Sequence, residues 1–88
     1  MDNKVEDMIV AQLNFFLFKQ EVKVYQNNEI VEKFSVTLDQ LVDTIEGAVK
    51  KYNINKVHVK STNPFYNVNL KQKLMTKFAE NPIEIIFH

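Results

Sequence analysis

The chain has 88 residues, of which 45% are apolar, including seven Phe, with eleven lysines, eleven acids and no cysteine. That is enough for one small core, and it excludes intrinsic disorder, a disulfide framework and a thiolate metal site. The neutral total hides three blocks: −5 over residues 1–46, +7 between Glu46 and Glu80, and −2 over the last nine residues. If the blocks stay apart in space, the molecule has one basic and one acidic end and steers an anionic partner or a second copy. The longest apolar run, near Met8 to Phe18, is broken by Gln12 and Asn14 and cannot cross a bilayer. It has neither a basic lead nor a small-residue cleavage pattern, so a soluble cytoplasmic protein without membrane association is expected. Lys, Asn, Ile and Phe abound, while Gly, Pro and Trp are scarce and Arg is missing. This bias is similar to the coding of AT-rich genomes, such as those of low-GC bacteria and their phages.

Residues 1–7 read as a frayed lead to a single domain spanning 1–88. Between Val10 and Phe18 two patterns compete. Helical spacing runs through Val5, Met8, Ile9, Leu13 and Phe16, whereas Ala11, Leu13, Phe15 and Leu17 alternate with Gln12 and Asn14. The alternation and the Phe cluster favour a strand. Glu21 to Tyr25 and Ile30 to Val36 are strands flanking a Gln26-Asn27-Asn28-Glu29 hairpin turn. A helix follows from Leu38 to Tyr52, with Leu38, Leu41, Val42, Ile45, Val49 and Tyr52 on one face. Thr37 and Gln40 match a capping box, Asp39 suits the first turn, Lys50 and Lys51 suit the last, and Asn53 suits a left-handed stop. Gly47 inside this helix is expected to mark a close helix–sheet approach. Lys56 to Ser61 alternates as a strand. A second helix over Asn67 to Ala79 turns Leu70, Leu74, Met75 and Phe78 inward and ends at Asn81-Pro82, before a short strand from Ile83 to Phe87.

Three strands, a helix, a strand, a helix and a strand make a two-layer α/β (α+β) domain on a mixed five-stranded sheet. This order resembles the ribonuclease-H-like fold, which also occurs in non-catalytic ribosomal proteins. The resemblance implies the sheet order 3-2-1-4-5, and right-handed crossovers would then put both helices on one face. A ferredoxin-like or other α/β sandwich is the alternative if the amino-terminal segment is helical. Nucleases of the ribonuclease-H-like fold hold two metal ions with carboxylates on the first strand and at the end of the fourth. Here those places carry Gln12 and Asn14, and Lys60-Ser61-Thr62-Asn63. Catalysis is therefore not expected. Serines 35 and 61 lie in no nucleophile elbow, and one glycine cannot build a phosphate loop. His58 and His88 could meet on neighbouring strands, but no third ligand is evident, so neither a metal nor another cofactor is expected. Asp39, Asp43 and Glu46 read as a solvated helical face.

Extending the alternation puts Phe16, Phe18, Lys23, Tyr25, Val31, Lys33, His58, Lys60 and Ile86 on the uncovered sheet face, together with Glu84 and His88. Several are large and apolar, and such a patch usually marks an interaction surface. The expected function is a small non-catalytic interaction or regulatory protein that pairs with itself, as a homodimer, or with a larger protein. An accessory protein of a phage or mobile element fits this reading. The alternative is a weak, salt-sensitive nucleic-acid-binding module built on the lysine-rich 47–79 region. It would use Lys56, Asn63, Phe65, Tyr66, Asn67 and Lys71, with the rings stacking on bases and helix N–H groups facing phosphate. Asn63 or Asn67 capping a helix is the plainer reading of that loop.

Overall fold

The computed structural model describes residues 7–88. Its elements are β1 (Met8–Gln12), β2 (Gln20–Gln26), β3 (Glu29–Val36), α1 (Leu38–Tyr52), β4 (Lys56–Lys60), α2 (Pro64–Lys77) and β5 (Glu84–Phe87). They form one mixed sheet in the order β3-β2-β1-β4-β5. β1–β2 and β2–β3 pair antiparallel, whereas β1–β4 and β4–β5 pair parallel. The expected order, class and two-layer arrangement are all present. Residues 1–6, most of the expected frayed lead, lie outside the described residues, but Asp7 is tied down. Its carboxylate accepts the Asn27 N–H at 3.2 Å.

One face of the sheet carries the core. Ile9, Ala11, Val22, Val24, Val57 and Val59 are fully buried, and Leu41, Ile45 and Ala48 of α1 pack on them with Leu70 and Leu74 of α2. Every second residue of the strands therefore points to the helices, and both helices lie on the same side. The other face bears Val10 at its centre. Register places Lys33, Lys23, Val10, His58 and Ile86 in one row across the five strands. Lys23 and Lys33 stand directly opposite each other, a repulsive arrangement. Glu21, 3.0 Å from Lys23, offsets it and raises the Lys23 pKa, chiefly through their hydrogen bond.

Local chemistry sets the element ends. Asn27 and Asn28 both take positive φ, 53° and 68°, the paired left-handed geometry of a tight hairpin. Gln40 Oε1 accepts the Thr37 N–H at 3.2 Å while Thr37 O accepts the Gln40 N–H, so the amino end of α1 is satisfied as the capping pattern implies. Asn53 closes the helix in the left-handed region. α2 begins three residues before the expected Asn67, because Pro64 suits a first helical turn and the Asn63 side chain caps it. Met75 is a second correction: it is 58% exposed, on the solvent side of α2.

Folding brings part of the basic block against acids of the other two. Lys50 pairs with Glu46, Lys51 with Glu32, Lys56 with Glu84, and Lys77 with both Asp43 and Glu46, at 3.2–3.6 Å. Among the described residues, four of the seven middle-block lysines thus stand beside acids, because the fold brings acids from the first and last blocks to them. Glu32 matters most here. It points from edge strand β3 toward α1, and its Oε1 accepts both the Tyr52 hydroxyl, at 2.5 Å, and the Lys51 ammonium. The Tyr52 hydrogen bond, with help from Lys51, lowers the Glu32 pKa, and the same bond raises that of Tyr52.

Gly47 also departs from expectation. A Cβ built there meets nothing within 4 Å, so no close helix–sheet approach requires glycine. Gly47→Ala should raise stability by about 0.5–1 kcal/mol, read as a higher urea midpoint. Because the Glu32 carboxyl is more acidic folded than unfolded, its contribution is present above the unfolded carboxylate range and fades as pH falls through the folded value. The urea midpoints of wild type and Glu32→Gln should therefore differ at pH 7 and converge on acidification toward pH 3.

Candidate interaction surface

The strand expected to run to Phe18 stops at Gln12. Its last ladder bond runs from the Leu13 N–H to Lys60 O at 2.9 Å, and there the chain turns. Asn14 drives that turn. Its Oδ1 accepts the Phe16 N–H at 3.0 Å and its carbonyl accepts the Leu17 N–H at 3.0 Å, a side-chain-supported tight turn. Phe16 and Phe18 consequently leave the sheet altogether. Phe16 is 99% and Phe18 80% exposed, with Leu17 exposed between them. The expectation that they furnish an apolar sheet face is corrected on this point.

A buried glutamine holds the turn. Gln20 opens β2 on the core side and is only 1% exposed. Its Oε1 accepts the Asn14 N–H at 2.5 Å, and its Nε2 donates to Asn14 O and to Leu17 O at 3.1 Å each. The carboxamide thus satisfies three backbone groups of the turn and is itself satisfied, so the segment is ordered rather than loose. Phe15 folds back to meet Tyr66 edge-on, with ring centroids 5.2 Å apart. That contact joins the turn to the first turn of α2, where Phe65 is 87% exposed and Val68 is exposed as well. Burial, with a smaller effect of Asp39, raises the Tyr66 pKa.

The other expected sheet-face residues divide. Lys23, Tyr25, Lys33, His58, Lys60 and Ile86 do share the uncovered face, whereas Val31 falls out of register at a bulge opposite Val24 and Tyr25 on the edge strand. Without Phe16 and Phe18 that face is a mixed surface of lysines, histidines, acids and a few apolar side chains. The residues proposed for phosphate binding are not gathered. Lys56 sits at the start of β4, paired with Glu84, and the 61–67 segment follows its far end. Asn63 Oδ1 caps α2 through the Tyr66 N–H at 3.0 Å, and Asn67 Nδ2 donates to Ser61 O at 3.3 Å. Lys71 lies further along α2.

Sequence reasoning missed Asn14, Gln20 and Leu17. The available signal was Phe15-Phe16-Leu17-Phe18, four consecutive apolar residues after an asparagine, which suit no half-buried strand. No protein-family model matches this chain, and no curated protein or solved structure matches it. The ribonuclease-H-like resemblance therefore rests on the order of its elements alone. Gln20→Ala should strand three part-buried backbone groups, costing about 1–3 kcal/mol for each that water does not reach. It should also speed hydrogen exchange at Leu17 and its neighbours more than at the sheet amides.

Proposed function

We propose that this chain is a non-catalytic binding module that docks on a partner protein by inserting Phe16 and Phe18 into an apolar pocket. The observation that carries this reading is a fully exposed Phe on a turn that a buried glutamine fixes in place. Leaving Phe16, Leu17 and Phe18 in water forgoes about 1.5–3 kcal/mol for each. A turn held by three hydrogen bonds cannot collapse to recover that energy, and it meets a partner with little ordering left to lose. Rigid aromatic anchors of this kind dominate binding energy at protein interfaces.

A partner protein fits better than a second copy. Two such turns are convex against convex and enclose each other's rings poorly. The groove between α1 and α2, lined by Val42, Asn69, Gln72, Lys73, Thr76 and Lys77, is wide open to solvent and does not enclose a phenyl ring. The uncovered sheet face becomes a secondary contact, with Lys23, His58 and Lys60 as its polar margin. The nucleic-acid reading loses support from the ion pairs at Lys50, Lys51, Lys56 and Lys77.

Photoreactive benzoylphenylalanine at position 16, used in host lysate, tests the proposal. It should cross-link one protein species, and excess wild-type chain should compete where Phe16→Asp does not. Equal competition by Phe16→Asp, or labelling only of a second copy or of lipid, defeats the reading. Position 16 is exposed, so both variants should keep the wild-type circular dichroism and an unfolding free energy within about 0.5 kcal/mol of wild type.

A further inference from the structure

His58 and His88 meet on the uncovered face. Register pairs His58 with Ile86, and the His88 N–H donates to Val59 O at 2.9 Å, which continues the β4–β5 ladder one residue past β5. His88 therefore rises from the same face as His58, one step further along. His58 Nδ1 lies 2.7 Å from His88 Nε2, with the ring planes at 12° and the centroids 5.0 Å apart. Face-to-face rings would have atoms in contact at about 3.5–4.0 Å. The wider spacing and the short nitrogen contact mean that the rings meet edge to edge, nitrogen to nitrogen.

Such a contact needs one N–H and one lone pair, so a single proton sits between two imidazoles. We propose that a borderline divalent cation can take that proton's place, and that His58 and His88 form a two-imidazole chelate selecting Cu²⁺ or Ni²⁺ ahead of Zn²⁺. With metal–nitrogen bonds of about 2.0–2.1 Å, a right-angle bite needs nitrogens about 2.9 Å apart and a tetrahedral one about 3.3 Å. The observed 2.7 Å is the separation of nitrogens that share a proton, so the pair must open to take a metal, by less for a right-angle bite than for a tetrahedral one. The general affinity order of divalent metals, with Cu²⁺ above Zn²⁺, points the same way. Binding moves the shared proton to the far nitrogen of its own ring, His58 Nε2 or His88 Nδ1, so that both facing nitrogens offer lone pairs, and it turns both rings toward one point on the solvent side, where His88 is exposed. Among the described residues no third His, Cys, Asp or Glu completes a cluster with the two imidazoles. The Lys60 ammonium on the same face opposes a cation, which keeps the affinity moderate.

This site shares no residue with the aromatic turn, so the two proposals fail separately. Cu²⁺ titration of the 88-residue chain, followed by calorimetry and electron paramagnetic resonance, tests it. Wild type should bind one Cu²⁺ with hyperfine structure from two imidazole nitrogens and should bind Zn²⁺ more weakly. His58→Ala and His88→Ala should each lose roughly tenfold or more in affinity, together with one nitrogen signal. A wild-type spectrum without imidazole nitrogens, or a double variant that binds as tightly as wild type, overturns the assignment. Circular dichroism of the variants should be unchanged, so a loss of binding is not a loss of fold.

Discussion

Six side chains on three adjacent central strands, Ile9, Ala11, Val22, Val24, Val57 and Val59, bury completely on one side of a single sheet, and every other feature follows from that one-sided alternation. Because side chains alternate with period two, slipping β4 by one residue would turn Val57 and Val59 to solvent and bring His58 and Lys60 under the helices. Register is therefore fixed wherever the buried face exists. The parallel pairing of β1 with β4 and of β4 with β5 then calls for crossovers, and both helices settle over the same aliphatic surface. The reverse face is left with whatever the alternate positions supply.

That geometry also decides where charge goes. Along the chain, acids and lysines are segregated, a pattern that suggests a steering field. In the folded molecule α1 lies beside β3 and α2, so Lys51 reaches Glu32 and Lys77 reaches Asp43 and Glu46. Exposed pairs of this kind each contribute little to stability. Their effect on recognition is larger, because they replace one extended basic surface with short alternations of sign. Glu32 does more than pair. A charged residue facing inward from the edge strand, held by Tyr52, also discourages edge-to-edge association through β3.

The two surfaces that remain differ in kind. The turn at residues 14–18 concentrates large apolar side chains on a convex, hydrogen-bonded support. The sheet face spreads lysines and two coupled histidines over a flat area. Gln20 is the hinge of that division. As the first residue of β2 on the core side it would bury an unsatisfied carboxamide if β1 and β2 simply continued into a long hairpin. With the turn in place, the same carboxamide is fully used.

Much of the fold was legible in the linear chain. Period-two and period-3.6 patterns gave the seven elements in their right order, with the first strand set too far along the chain, because burial on one face demands those periods whatever the neighbours are. Asn27-Asn28, Thr37 with Gln40, and Asn53 marked ends through local backbone chemistry, which acts over a few residues. What failed involved contacts distant in sequence or depth. The departure of Phe16 and Phe18 from the sheet depends on Gln20, six residues beyond Asn14, reaching back from inside the core. The open space at Gly47 depends on which side of α1 faces the sheet at that level. The pairing of lysines with distant acids depends on helix placement, whereas the meeting of His58 and His88 on neighbouring strands was legible and only their nitrogen-to-nitrogen contact waits on the last strand's register. The sequence by itself determined the elements, their order and the buried aliphatic stripe, because those obey local periodicity. Tertiary structure alone decided which apolar residues face water and which charges meet, because both depend on distances between segments that no local pattern encodes.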